Sequence, residues 1–205
     1  MIRILFQGDS VTDGGRDRTD PTHLGVRYVK YAAAYLREMH PQLALEILNR
    51  GIAGNETADL IARMDQDIVQ LKPDIVSLMI GINDTEHYAK DENWLDVKVF
   101  EKQYRLILQT IREQTNAKLM VMEPFYMPPA ENRKFRQDLA VKVEIIRAVA
   151  SDYADVYVPT EGLLHSVLIG KDKAQYIPDG LHPTEEGSEY LARICVQYLN
   201  QLIQA

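Results

Sequence analysis

The chain has 205 residues, 46% hydrophobic and 26% charged, the mix expected of one soluble domain, residues 1–205, able to bury a sizeable core. Its formal net charge of -7 sets it against phosphate-rich partners, so neither nucleic acid nor a membrane surface is expected to bind it. One cysteine, Cys195, excludes an internal disulfide, and no segment approaches the roughly 18 continuous apolar residues of a membrane span. The N-terminus, MIRILFQGDS, shows no signal-peptide pattern, so a cytoplasmic location is expected. Cys195 itself reads as a small apolar residue on the inner face of the last helix.

Short β-rich runs alternate with longer helical ones. Residues 2–6 read as the first strand, and Tyr28, Ala32, Tyr35, Leu36 and Met39 recur at helical spacing. Residues 43–48 read as the second strand, followed by a helical stripe at Thr57, Ile61, Met64, Ile68 and Leu71. DIVSLMIG, residues 74–81, is nearly all apolar, as in a strand buried on both faces. Phe100, Tyr104, Ile107, Leu108 and Ile111 mark a helix, KLMVME a strand, and Phe135, Leu139, Ile146 and Val149 another helix. DVYVP is a last short strand, and Leu191, Ile194, Cys195, Tyr198 and Leu202 form a closing helix. This order predicts an α/β, flavodoxin-like three-layer sandwich: a five-stranded parallel sheet, order 2-1-3-4-5, with right-handed crossovers and helices on both faces.

Such sheets bind ligands beyond the carboxyl ends of their strands, so the residues just after each strand are the informative ones. After the first comes GDSVTDGGRD, where Ser10 is either a turn or cap residue or a nucleophile. No phosphate-loop pattern is present, and Val11 breaks a calcium-loop reading at a ligand position. After the second comes NRGIAGNET. Gly51 reads as loop freedom, Gly54 as a backbone N–H that can face the crevice, and Asn55 and Thr57 as caps of the next helix. After the third comes GINDTEH, where Asn83 is either a turn residue or a donor to a developing oxyanion. EPFYMPP follows the fourth. Before the last helix stands PDGLHPTEEG, in which Asp179 and His182 are three positions apart. That spacing serves a helix start, or lets a carboxylate orient an imidazole facing a nucleophile.

Taken together and in this order, the blocks resemble the SGNH hydrolases, also called GDSL esterases. GDSVTDGG is similar to the family's serine block, with Val11 where leucine is usual, GIAGNE to its glycine block, GIND to its asparagine block and DGLHP to its histidine block. GDSVTDGGR, MIGIND and EPFYM are most similar to the subgroup of acetylxylan and related carbohydrate acetyl esterases. The resemblance implies a serine esterase with a Ser10–His182–Asp179 triad. It also implies an oxyanion hole of the Ser10 and Gly54 N–H groups and the Asn83 amide, with no metal or organic cofactor. Asp9 and Asp84 are assigned to loop-shaping hydrogen bonds.

The substrate is expected to be a short-chain, acetyl ester of a sugar or short oligosaccharide. The loops after the strands are polar, and Arg16, Tyr88, Phe125 and Tyr126 are expected to rim the crevice and bind a polyhydroxylated alcohol. A lysophospholipase or thioesterase is the alternative within the family, and a catalytically silent binding module is the alternative outside enzymes. The sequence leaves open whether the chain forms a homo-oligomer.

Overall fold

A computed structural model describes residues 1–128 and 132–204. Pro129, the last residue of the EPFYMPP loop, lies outside the described residues. Five parallel strands form one sheet in the order β2-β1-β3-β4-β5: β1 (Ile2–Gly8), β2 (Leu45–Asn49), β3 (Ile75–Met79), β4 (Lys118–Met122) and β5 (Val156–Val158). The chain is thus an α/β protein with the sheet order that its strand–helix alternation predicts. Ile4 of β1 sits between Ile47 of β2 and Ile75 of β3, which sets the register of the sheet's centre.

Because side chains alternate across a strand, each strand feeds two cores. Ile4, Phe6, Ile75, Met120 and Met122 face one side, where α2 (Tyr28–Met39) packs on α8 (Glu185–Gln204). Cys195 is buried on that face of α8. Leu5, Val76, Leu78, Leu119 and Val121 face the other, under α3 (Thr57–Met64), α5 (Val97–Gln114) and α6 (Arg133–Tyr153). Among the described residues no helix is long and apolar enough to cross a membrane.

Three local features depart from the sequence reading. β2 begins at Leu45, because the Leu43 amide closes a turn onto the His40 carbonyl at 3.0 Å. Residues after β3 form a helix, α4 (Asn83–Ala89), with Asp84 and Glu86 in its first turn, where acidic side chains suit the exposed N–H groups. A further helix, α7 (Thr160–Val167), is too short to declare itself by apolar period, and carries His165. α4 is held to α6 by a buried cluster in which Thr85 donates to Asp138 at 2.6 Å and the wholly buried Lys142 ammonium pairs with the same carboxylate.

Candidate active site

β1 ends in GDS, and Ser10 is the first residue of a single helical turn, α1 (Ser10–Asp13). Asp9 caps that turn by accepting from the Val11 N–H at 3.1 Å. This leaves the Ser10 N–H, at the N-terminal end of the turn, with no partner among the described residues. The Ser10 Oγ lies 2.8 Å from His182 Nε2, and His182 Nδ1 lies 2.7 Å from Asp179 Oδ2. Asp179 in turn accepts the backbone N–H groups of Leu181 at 2.9 Å and His182 at 2.7 Å through Oδ1. Burial raises the Asp179 carboxyl, but these bonds outweigh it and hold the group below its ordinary range. With the Nδ1 proton committed to Asp179, Nε2 is the nitrogen left to accept from Ser10.

The glycine block closes beside this line. Gly51 is required by close approach: a Cβ there would lie 2.3 Å from the Asp13 backbone nitrogen, so loop freedom is not its reason. The next N–H groups turn inward, Ile52 to the Gly8 carbonyl at 3.1 Å, Ala53 to Asp13 Oδ2 at 3.0 Å and Asn55 to the Ile52 carbonyl at 3.1 Å. Gly54, at φ +82°, is the exception, and its N–H has no partner among the described residues. Asn83 is buried at the start of α4 and donates through Nδ2 to the Asn55 carbonyl at 2.9 Å, tying the asparagine block to the glycine block. Asp84 reinforces the tie by accepting the Thr57 N–H at 3.1 Å and its hydroxyl at 2.5 Å. Thr57 is therefore the first residue of α3, and the cap is Glu56, in a reciprocal box with Asp59. Asn55 does not cap the helix with its side chain, which accepts from Arg63 at 2.7 Å.

Burial pushes the Asp9 carboxyl up from 3.8 to about 7, and Asp84 up to about 6 against the Thr57 hydrogen bonds. The Asp9 proton is thus held more tightly in the folded chain than in the unfolded one. The stability it supplies is full below 3.8 and is lost as pH rises through about 7. The span is worth roughly 4 kcal/mol. Asp9→Asn keeps an oxygen for the Val11 N–H and removes the titration. Urea unfolding of both proteins between about pH 4 and about pH 8 should show the wild type losing about 3–4 kcal/mol relative to the variant. Parallel losses would mean that Asp9 does not hold its proton.

Ser10 and His182 open onto a cleft of about 570 Å³ lined by Asp13, Gly15, Arg16, Arg18, Arg27, Ala53 and Asp179. Arg16, expected at the rim, is there. Phe125 and Tyr126 are not: they are 3% and 8% exposed, because EPFYM turns inward. Tyr126 stacks on Phe135 at 4.1 Å, while Phe125 walls a mainly apolar hollow of about 10 Å³ with Asp9, Val11, Met79, Ile82, Pro124 and Leu181. Tyr88 is half-buried on α4, its hydroxyl 3.2 Å from Glu56. His87 Nδ1 meets the same carboxylate at 2.7 Å, a pair that a spacing of 31 residues hides from sequence reading. Asp13, Arg18 and Arg27 were not singled out from sequence as site residues. The only signal was their place after β1, since nothing local brings Arg27 beside Ser10.

A model of the GDSL-like lipase/acylhydrolase family matches residues 6–190. The chain belongs to that family. It is 31% identical, over 93% of its length and 90% of the relative's, to an acetylxylan esterase of Geobacillus stearothermophilus. A crystal structure of an acetylxylan esterase from that organism superposes with a TM-score of 0.86 at 30% identity, covering 96% of this chain and 93% of the other. Solved forms of that enzyme include catalytic mutants in which a serine and a histidine are each replaced by alanine. A putative GDSL-like lipase of Parabacteroides merdae superposes with a TM-score of 0.90 at 28% identity, covering 96% of this chain and 94% of its own. As a GDSL hydrolase with an esterase relative over nearly its whole length, the protein is a carboxylic ester hydrolase.

Proposed function

We propose that the protein hydrolyses short-chain, chiefly acetyl, esters of a sugar or short oligosaccharide through a Ser10–His182–Asp179 triad. The observation that carries this is the hydrogen-bonded line from Ser10 Oγ through His182 to Asp179, bordering the cleft. Ser10 Oγ attacks the ester carbonyl as His182 Nε2 takes its proton, and Asp179 stabilises the resulting imidazolium. The Ser10 and Gly54 N–H groups and the second Asn83 amide hydrogen are the donors for the tetrahedral oxyanion. His182 returns the proton to the leaving alcohol, and the acetyl group stays on Ser10. Water, deprotonated by His182, then attacks the acyl-enzyme and releases acetate and free Ser10.

Two features favour a small acyl group and a polar alcohol. Apart from Ala53 and Gly15, the cleft's lining side chains are polar or charged. The mainly apolar hollow walled by Asp9, Val11, Ile82 and Leu181, the neighbours of Ser10, Asn83 and His182, has room for no more than about one water-sized group. The acetylxylan esterase relative points the same way. The test is kcat/KM across p-nitrophenyl acetate, butyrate and octanoate beside acetylated xylose and xylo-oligosaccharides. The acetate and the acetylated sugars should be the best substrates, with at least tenfold loss by octanoate, since a longer acyl chain must displace packed side chains at a cost of about 1–3 kcal/mol. A climb towards octanoate, or inert acetylated sugars, would replace this reading with a lipase or thioesterase.

A further inference from the structure

The cleft that holds Ser10 and His182 is basic, in a chain whose formal net charge is -7. Three arginines line it, Arg16, Arg18 and Arg27, with two acidic residues, Asp13 and Asp179. Both carboxylates are committed. Asp179 serves His182. Asp13 accepts the N–H groups of Gly15, Arg16 and Ala53 and pairs with Arg18 at 2.6 Å. Arg16 and Arg27 are left without a carboxylate at ion-pair distance among the described residues.

Arg16 is held through its guanidinium, and Arg27 through its backbone and stem. Both are half-buried. Arg16 Nε donates to the Gly51 carbonyl at 2.9 Å, and its backbone is pinned by Asp13 at 3.1 Å. Arg27 is the cap residue of α2, and its stem lies against Gly14, where a Cβ would come within 3.1 Å of the Arg27 Cβ. Burial lowers the Arg16 guanidinium from its ordinary range; Asp13 draws it back up, and Arg50 and Arg18 add to the lowering. A half-desolvated guanidinium with no carboxylate at ion-pair distance is costly, and an incoming anion offsets that cost.

We infer that the alcohol half of the substrate carries an anionic group, a carboxylate or a phosphate, which pairs with Arg16 and Arg27 while its acetyl ester lies at Ser10. The substrate class is then an acetylated acidic sugar: a uronic-acid glycoside or a sugar phosphate. The inference rests on the esterase reading above and names the substrate of the same site. A planar guanidinium offers paired donors to either anion, whereas a neutral sugar gains only ordinary hydrogen bonds. A basic cleft also draws the anion in, an effect that salt weakens.

The experiment compares kcat/KM for three singly acetylated glycosides: methyl xyloside, methyl glucuronoside and a hexose 6-phosphate. At low ionic strength at least one anionic substrate should be preferred by about tenfold or more over the xyloside, and salt should shrink the difference. Whichever of the glucuronoside and the phosphate is preferred identifies the anion. Arg27→Gln and Arg16→Gln should each cut the charged-to-neutral ratio severalfold, mainly through KM, and Arg27→Lys should retain most of it. The ratio is taken within one protein sample, so partial misfolding cancels. Binding of the unacetylated glycosides to the Ser10→Ala protein supplies a readout independent of turnover. Equal kcat/KM for charged and neutral substrates, or equal binding of their unacetylated forms, overturns the inference and leaves the esterase reading standing. Absence of Ser10-dependent hydrolysis of every ester, p-nitrophenyl acetate included, sinks the esterase reading instead, and binding then decides the anion preference alone.

Discussion

Replacing Ser10 with alanine should lower kcat for p-nitrophenyl acetate by roughly 10⁵–10⁶, the scale seen when a triad nucleophile is removed. Among the described residues, the hydroxyl that His182 Nε2 faces at 2.8 Å is the one at Ser10. The fold should survive, because the described hydrogen bond of that hydroxyl is to His182 alone, and the turn is held by the Asp9 cap and by the strand before it. Circular dichroism and urea unfolding of the variant should match the wild type within about 0.5 kcal/mol, as for a half-exposed site. A serine-directed organophosphorus reagent should add to Ser10 in the wild type and to nothing in the variant, read by mass spectrometry of peptides. Retained activity, or label on another serine, removes Ser10 as nucleophile.

The second large effect belongs to Asn83. One hydrogen of its amide is used on the Asn55 carbonyl at 2.9 Å, and in the proposed mechanism the other donates to the oxyanion. Asn83→Ala should cost on the order of 10²–10³ in kcat, the usual loss for one such donor. KM should change little, because the bond strengthens as charge develops on the carbonyl oxygen. The same change frees the Asn55 carbonyl and unties Gly54 from α4, which should cost about 1 kcal/mol of stability. The two effects separate in the measurements: the lost donor lies in kcat, the lost tether in urea unfolding. A raised KM with unchanged kcat would make Asn83 a ground-state binding residue.

Much of this protein was legible in order along the chain. The strand–helix alternation led to the sheet order because a parallel sheet needs a crossover between neighbouring strands and buries its middle strands on both faces, which leaves runs such as IVSLM. The four blocks were legible because chemistry at the carboxyl ends of strands demands particular residue types at short spacing. Asp179 and His182 are such a pair, close enough in sequence for their contact to be foreseen. Asp9 and Asp84 took the loop-shaping bonds assigned to them, since a capping or turn carboxylate works on neighbouring backbone.

Direction was not legible where polar and aromatic residues share a loop. EPFYM has the composition of a rim, yet Phe125 and Tyr126 turn inward, because α6 supplies Phe135 and the residues flanking Ser10 and His182 supply an apolar wall. Composition states that an aromatic ring must be buried somewhere, and only the packing of distant elements says against what. The electrostatics of the cleft divide in the same way. The chain's overall charge is negative from its sequence, but the sign of the field at Ser10 depends on which arginines the fold gathers there. Arg16 and Arg18 follow Ser10 closely, while Arg27 arrives through the turn at Gly14 and Gly25 into α2. Pair energies fall with distance and with intervening water, so a sum over the sequence carries no information about a local field. The sequence by itself determined the sheet, the order of the blocks and the candidate residues for the chemistry. The tertiary structure alone decided which of them share a cleft, which are buried beneath it and which charges remain unpaired, because those depend on contacts between elements far apart in the chain.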